Sequence, residues 1–206
     1  FNPGPIDYPR PKIYLAVVGP AMARVAGEIA DGVLPHGGIM TDRYMREVML
    51  PNIRTGLMRS GRTWADIDIA ASGYTVYGEN EEEIVKGLDG LRTPLSFYGS
   101  TRTYHEVLRL HGLEYLGQKL HALSLDGQWK KMREVITEDE LRELTQVSVW
   151  DDLPAFVTEH REYASQMGFG RSARNDEERT RNRALMQTLQ DLETPRIPSG
   201  LDIQEN

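Results

Sequence analysis

An α/β fold built on parallel strands is what this sequence predicts, and three observations between Ile13 and Leu34 carry it. Ile13 to Val18 is an unbroken apolar run, which suits a strand covered on both faces better than the alternation of a half-exposed one. Gly19-Pro20 stops that run, and Met22, Val25, Ala26, Ile29 and Ala30 follow at helical spacing. Asp31-Gly32 then closes the helix, and Val33-Leu34 opens a second short strand. On this reading the small-residue face of the helix lies against the sheet, while Arg24 and Glu28 point away from it.

The remaining elements follow in order. Asp42 to Ser60 reads as a long helix with Thr41 as its cap and Tyr44, Val48, Ile53 and Leu57 on an inner face; Pro51 is expected to kink or split it. Ile67 to Val76 reads as a strand interrupted at Ser72-Gly73. Glu81, Glu82 and Glu83 suit the positive end of a helix that starts after Gly78, and their simplest reading is a solvated first turn. From Thr93-Pro94 the pattern predicts a loop that feeds a helix carrying Tyr104, Val107, Leu108 and His111. Asp126-Gly127 marks a turn, Met132 to Ile136 an amphipathic helix end, and Thr137 to Glu140 a capping box for the helix Leu141–Leu144. Val147 to Trp150 and a helix from Asp151 to Ala164 come next. Asp176 to Leu192 is charge-dense with a weak stripe of Leu185, Leu189 and Leu192, so residues 171–206 are expected to form a flexible tail or a loosely docked helix. Residues 1–11 read as a proline-rich connector, and 12–170 as the folded unit.

The chemistry suggested by these residues is anion binding. At a strand–turn–helix junction the amides of Gly19 to Met22 sit at a helix start, where unpaired N–H groups and the dipole favour a phosphate, and Arg24 lies within a turn of them. Gly-Pro also ends many strands that bind nothing. His36 follows the second strand at its expected carboxyl end, and Gly37-Gly38 leave the backbone free to approach a ligand. A loop histidine with no ligand is the alternative. His105 and His111 fall on different faces of an ideal helix, which argues against a metal pair. Neither His121 nor His160 has a neighbour in sequence that would form a nucleophilic triad. Phe97, Tyr98 and Trp129 are candidates for a pocket wall, with core packing as the simpler role for each taken singly.

Composition narrows the classes. The 206 residues, 39% of them hydrophobic, are enough for one core. A formal charge of −7 argues against a nonspecific polyanion binder. The chain has no cysteine, which removes disulfides, thiolate metal sites and cysteine nucleophiles together. No apolar run approaches the roughly 20 residues of a membrane helix.

The block Ile13–Leu34 resembles the fifth-strand signature of the luciferase-like monooxygenase superfamily, which includes flavin luciferases and deazaflavin (coenzyme F-420) oxidoreductases. Similarity continues through Asp42–Arg62, Phe97–Tyr104 and Leu125–Met132 and is nearest to the F-420 branch. The resemblance implies the carboxyl-terminal half, about strands 5 to 8, of a (βα)8 TIM barrel that typically needs about 250 residues. It also implies a flavin- or deazaflavin-dependent oxidoreductase, with coenzyme F-420 as the cofactor or FMN as the alternative. The cofactor phosphate would be held by Val18, Gly19, Pro20, Ala21, Met22 and Arg24, with His36 and Gly37 nearby. Many relatives carry lysine where this chain has Ala21, which leaves Arg24 as the expected cation. Catalytic residues would lie mostly in the other half, so none is named. The expected setting is cytoplasmic, with a small-molecule substrate and neither nucleic acid nor membrane. The expected partner is a second copy or the missing half of the barrel. Two alternatives are a noncatalytic half-barrel that pairs with itself or with a complementary half, and an unrelated phosphate-binding α/β protein.

Overall fold

The computed structural model describes residues 4, 8–70, 73–160, 162–167, 173, 175–192 and 200–203. Strand β1 (Tyr14–Val17), helix α1 (Pro20–Ile29) and strand β2 (Gly32–Pro35) form the expected parallel unit, with Tyr14 opposite Gly32 and Val17 opposite Pro35. Strand β3 (Asp68–Ile69) extends the sheet in parallel beside β2. The segment 164–167 continues it: Ser165 N–H donates to the Ile69 carbonyl at 2.9 Å, and Ala70 bridges Gln166 in parallel. The strand expected from Ile67 to Val76 is thus two pieces, because Gly73 adopts a positive φ of 86° and turns the chain away. The second piece, β4 (Thr75–Gly78), pairs in parallel with β5 (Gln146–Val149) in a separate two-stranded sheet.

Between β2 and β3 the chain forms α2 (Asp42–Tyr44), a π-helical turn over Met45–Met49 and α3 (Leu50–Arg59). Thr41 caps α2 as expected, accepting from Tyr44 N–H. Pro51 marks a division of the expected helix, just after the π turn, without ending the helical run. Lacking an N–H, it sits in the first turn of α3, where its donor is not missed; the π turn precedes it, and the Asn52 side-chain amide supplies a bond to the Val48 carbonyl at 2.6 Å. Tyr44, Ile53 and Leu57 are buried, and Val48 is half-buried.

The face of α1 that packs differs from the expected one. Ala23, Ala26, Gly27 and Ala30 are buried, whereas Met22, Val25 and Ile29 are 44%, 38% and 73% exposed. Backbone approach decides the phase here: a Cβ on Gly27 would overlap the Ile53 carbonyl, and one on Gly56 would overlap that of Arg24. Only the smallest residues fit such a seam, so the larger apolar ones are turned outward. Arg62 closes the far end of α1 by donating to the Gly27 and Ala30 carbonyls at 2.8 and 2.6 Å.

Helix α4 (Glu81–Gly99), capped by Asn80, runs straight through Pro94 and replaces the loop expected there. Pro94 removes a single donor, while buried Leu88 and Leu95 on either side hold the helix together. Helices α5 (His105–Leu110), α6 (Glu114–Leu125), α7 (Trp129–Met132) and α8 (Glu138–Leu144) follow, the last with the predicted capping box between Thr137 and Glu140. After β5 come α9 (Leu153–His160) and α10 (Asp176–Gln190). Leu185 and Leu189 of α10 bury against Trp150, Leu153 and Val157. Leu201 and Asp202 return to Trp64 and Arg54, whose side chains donate to their carbonyls.

Candidate functional site

Parallel strands aim their carboxyl ends at one edge of the sheet, and the loops there collect ligand-binding groups. The pairing of Val17 with Pro35 brings the exits Val18-Gly19 and His36-Gly37 side by side at that edge. Gly19 is the cap residue of α1, with extended backbone (φ −110°, ψ 164°) and no side-chain capping bond; the first turn holds no acidic residue. Helices α2, α4, α8 and α10 fill the corresponding place with a Thr or Asn oxygen. At α1 the amides of Ala21 and Met22 belong to exposed residues, and nothing lies within 4 Å of where a Cβ would stand on Gly19 or Gly37. A bare, sterically open helix start of this kind suits the oxygens of a phosphate.

Arg24 is placed differently from the other candidates. Its guanidinium donates to Asn52 Oδ1 at 2.5 Å across the α1–α3 seam, and Asn52 in turn holds Val48. The group that looked like the cation of the turn therefore ties two helices together, and the turn itself offers backbone N–H groups and the dipole.

His36 sits among aromatic rings. Tyr98 and Tyr104 meet it edge-on, with ring centroids 4.2 and 5.3 Å away, and the Tyr74 ring occupies the space a Cβ on Gly38 would need. Gly38 N–H donates to His36 Nδ1 at 3.2 Å, which leaves Nε2 as the protonated nitrogen of the neutral ring. Burial lowers the pKa of His36, and burial followed by the neighbouring Tyr98 raises those of Tyr74 and Tyr104. His36, Tyr74 and Tyr104 are therefore uncharged at neutral pH and offer N–H and O–H donors. From Tyr98 the rings continue to Phe97 at 5.3 Å and from Phe97 to Trp129 at 6.3 Å. Phe97 and Trp129 are 53% and 55% exposed and form an apolar ledge.

His111, expected only as a helix residue that forms no metal pair with His105, makes two side-chain contacts. Its Nδ1 meets Glu143 Oε1 at 2.6 Å and its Nε2 meets Thr41 Oγ1 at 2.8 Å, partners 32 and 70 residues away in sequence. Thr41 is buried and already caps α2, so this hydroxyl–imidazole–carboxylate chain ties α2, α5 and α8 together and presents no accessible nucleophile. No signal short of the tertiary contact could have revealed it. Among the described residues no group of three His, Asp or Glu side chains could hold a metal ion, and no helix is long and apolar enough to cross a membrane.

The sheet face opposite α1 and α3 is open. Tyr14, Ala16, Gly32, Leu34 and Asp68 share it by register; Ala16 is exposed and Leu34 is 43% exposed. Tyr14 and Lys12 both donate to Asp68 Oδ2, at 2.6 and 2.7 Å, and close its lower end. Among the described residues β1 is paired on one edge only.

The chain as a whole is similar to known proteins. An uncharacterised protein of Mycobacterium tuberculosis is 37% identical over 141 residues, 68% of this chain and 41% of that protein. The 5,10-methylenetetrahydromethanopterin reductase of Methanopyrus kandleri is 35% identical over 103 residues, 49% of this chain and 27% of the enzyme. In structure, the coenzyme F-420-dependent tetrahydromethanopterin reductase of Methanopyrus kandleri superposes with a TM-score of 0.58 at 21% identity, covering 76% of this chain and 44% of that one. An F-420-dependent secondary alcohol dehydrogenase in complex with an F-420–acetone adduct gives a TM-score of 0.58 at 12% identity, covering 86% and 48%. The chain thus spans less than half the length of these relatives. The family model described as luciferase-like monooxygenase matches residues 1–185, and with the parallel strand–helix units and the open turn at their carboxyl edge it establishes that this chain belongs to the luciferase-like monooxygenase family.

Proposed function

We propose that this chain is the phosphate-holding part of a coenzyme F-420-dependent oxidoreductase, with FMN as the alternative cofactor. The observation that carries the reading is the uncapped, unobstructed start of α1 beside the His36-Gly37 exit. The relatives and solved structures whose names specify F-420 favour the deazaflavin. Bound there, the cofactor supplies hydride transfer at its ring. The Ala21 and Met22 amides bind its phosphate, and Gly19 and Gly37 let the backbone approach it. His36, at the neighbouring strand exit, has its Nε2–H available as a donor, and the Tyr74 and Tyr104 hydroxyls beside it stay neutral. Phe97 and Trp129 screen one side of the site from water and form part of the substrate wall. No residue of this chain is assigned the proton or hydride step.

The open face of β1 and β2, the edge of β1 that is unpaired among the described residues, and the outward Met22, Val25 and Ile29 favour a second reading as well. In it the chain is the carboxyl-terminal half of a (βα)8 barrel, and a preceding strand–helix unit or a second copy covers these surfaces. Fluorescence titration of F-420 and of FMN, into this chain and into a protein extended at its amino terminus, tests both. Binding of F-420 in preference to FMN supports the first reading. Binding by the extended protein alone supports a shared site across the barrel. Stoichiometric self-association without any cofactor binding leaves only the interaction reading.

A further inference from the structure

A second cleft opens between the start of α1, the segment from Tyr44 to Val48, and α5. It has a volume of about 390 Å³ and is lined by Pro20, Tyr44, Val48, Glu106, Arg109 and Leu110. That size falls within the range of small-molecule sites. Its walls are mostly apolar: the Pro20 ring, Val48 and Leu110.

Tyr44 provides the polar group. The residue is only 3% exposed, and its hydroxyl has no hydrogen-bond partner among the described residues. Buried polar atoms are normally paired, and among the described residues the side-chain atoms left with neither partner nor solvent are His105 Nε2 and Thr145 Oγ1. The Tyr44 hydroxyl is not one of them, so it opens on the cleft it lines. Burial and then the negative charge of Glu106 raise its pKa, which keeps it a neutral donor across the physiological range.

The charged residues at the rim do not favour an anion. Arg109 is already engaged, donating to Glu106 at 2.5 Å and to Glu114 at 3.1 Å. Glu106 adds a negative charge to the wall. Pro20 has no N–H, so the cleft side of the α1 start offers a ring where another residue would offer a donor. A phosphate or carboxylate would meet one engaged cation and a carboxylate.

We propose that this cleft is a second binding site, for a neutral small molecule with an apolar body and one hydrogen-bond acceptor, such as a ketone or an amide, which accepts from the Tyr44 hydroxyl. The cleft borders the phosphate turn at Pro20 but uses none of its amides, and it does not depend on the cofactor assignment.

The test uses three probes of similar size that differ in one group: acetophenone, ethylbenzene and benzoate. Each is titrated into the full chain while backbone amide resonances are followed by NMR. Acetophenone is expected to shift the Tyr44, Val48 and Leu110 amides and to bind about 5-fold more tightly than ethylbenzene, the increment of one neutral hydrogen bond. Benzoate is expected to bind more weakly than acetophenone. In Tyr44→Phe, which keeps the ring and its packing, ethylbenzene affinity is retained and the preference for the ketone disappears. Absence of shifts at these amides with every probe would overturn the proposal. So would a ketone preference that survives Tyr44→Phe, or benzoate binding most tightly; the latter would mark an anion site instead.

Discussion

Along one side of α1, Ala23, Ala26 and Gly27 lie against α3 with backbone nearly on backbone; along the other, Met22, Val25 and Ile29 meet solvent. One ten-residue helix therefore serves a seam with no spare volume and a surface with nothing on it. At the seam, side-chain size decides what is allowed and hydrophobicity is secondary. At the open end, the missing side chains of Gly19 and Gly37 leave room that no neighbouring atom uses. Glycine thus appears twice for opposite reasons: Gly27 and Gly56 because space is absent, Gly19 and Gly37 where it is free.

The largest effect is expected from Gly56→Ala. The new methyl overlaps the Arg24 carbonyl, so the helices must separate, and stability should fall by about 3 kcal/mol despite the better helix propensity of alanine. Urea unfolding measures this, and a loss under 1 kcal/mol would show that the seam can relax. Gly19→Ala should leave stability within about 0.5 kcal/mol, since its extended backbone suits alanine, yet weaken cofactor binding about tenfold if the phosphate rests on that turn. Equal affinity of variant and parent would remove the turn from the site.

Arg24→Ala separates the two regions. Loss of its bond to Asn52 should cost about 1 kcal/mol of stability with cofactor affinity unchanged. A large affinity loss at unchanged stability would return Arg24 to the phosphate. The smallest effect is a titration. The folded-state pKa of His36 lies below its ordinary value of 6.5, so the closed, neutral arrangement loses stability as pH falls through 6.5 toward that lower value, and gains nothing further above it. NMR titration of the His36 ring should give a midpoint below 6.5, and His36→Gln should flatten this part of the stability profile after allowance for His105, which burial shifts the same way. A midpoint at or above 6.5 would mean that the ring is solvated.

The strand–turn–helix–strand unit, the cap at Thr41 and the capping box at Thr137 were legible because each rests on contacts within a few residues. The phase of α1 was not: Met22, Val25 and Ile29 have the right period, but the choice of face depends on Gly56, which lies 29 residues beyond Gly27. Pro94 was misleading for a related reason, since its local penalty is outweighed by packing of Leu88 and Leu95 that periodicity alone does not weigh. Gly19, Pro20, Ala21 and Met22 form the turn, and the register of β1 with β2 puts His36 and Gly37 beside it. Arg24 lies across the seam, because a charged side chain near a helix start can reach either a ligand or a neighbouring helix, and sequence proximity does not distinguish them.

The aromatic ledge gives the molecule an optical asymmetry. Of its three tryptophans, Trp64 and Trp150 are 6% and 7% exposed, whereas Trp129 is 55% exposed and stands at the end of the ring series that leads to His36. A collisional quencher such as acrylamide will therefore dim one indole and spare two. Any molecule that settles on the ledge will shield that same indole, so occupancy of this part of the protein can be followed through its own emission, with no label attached.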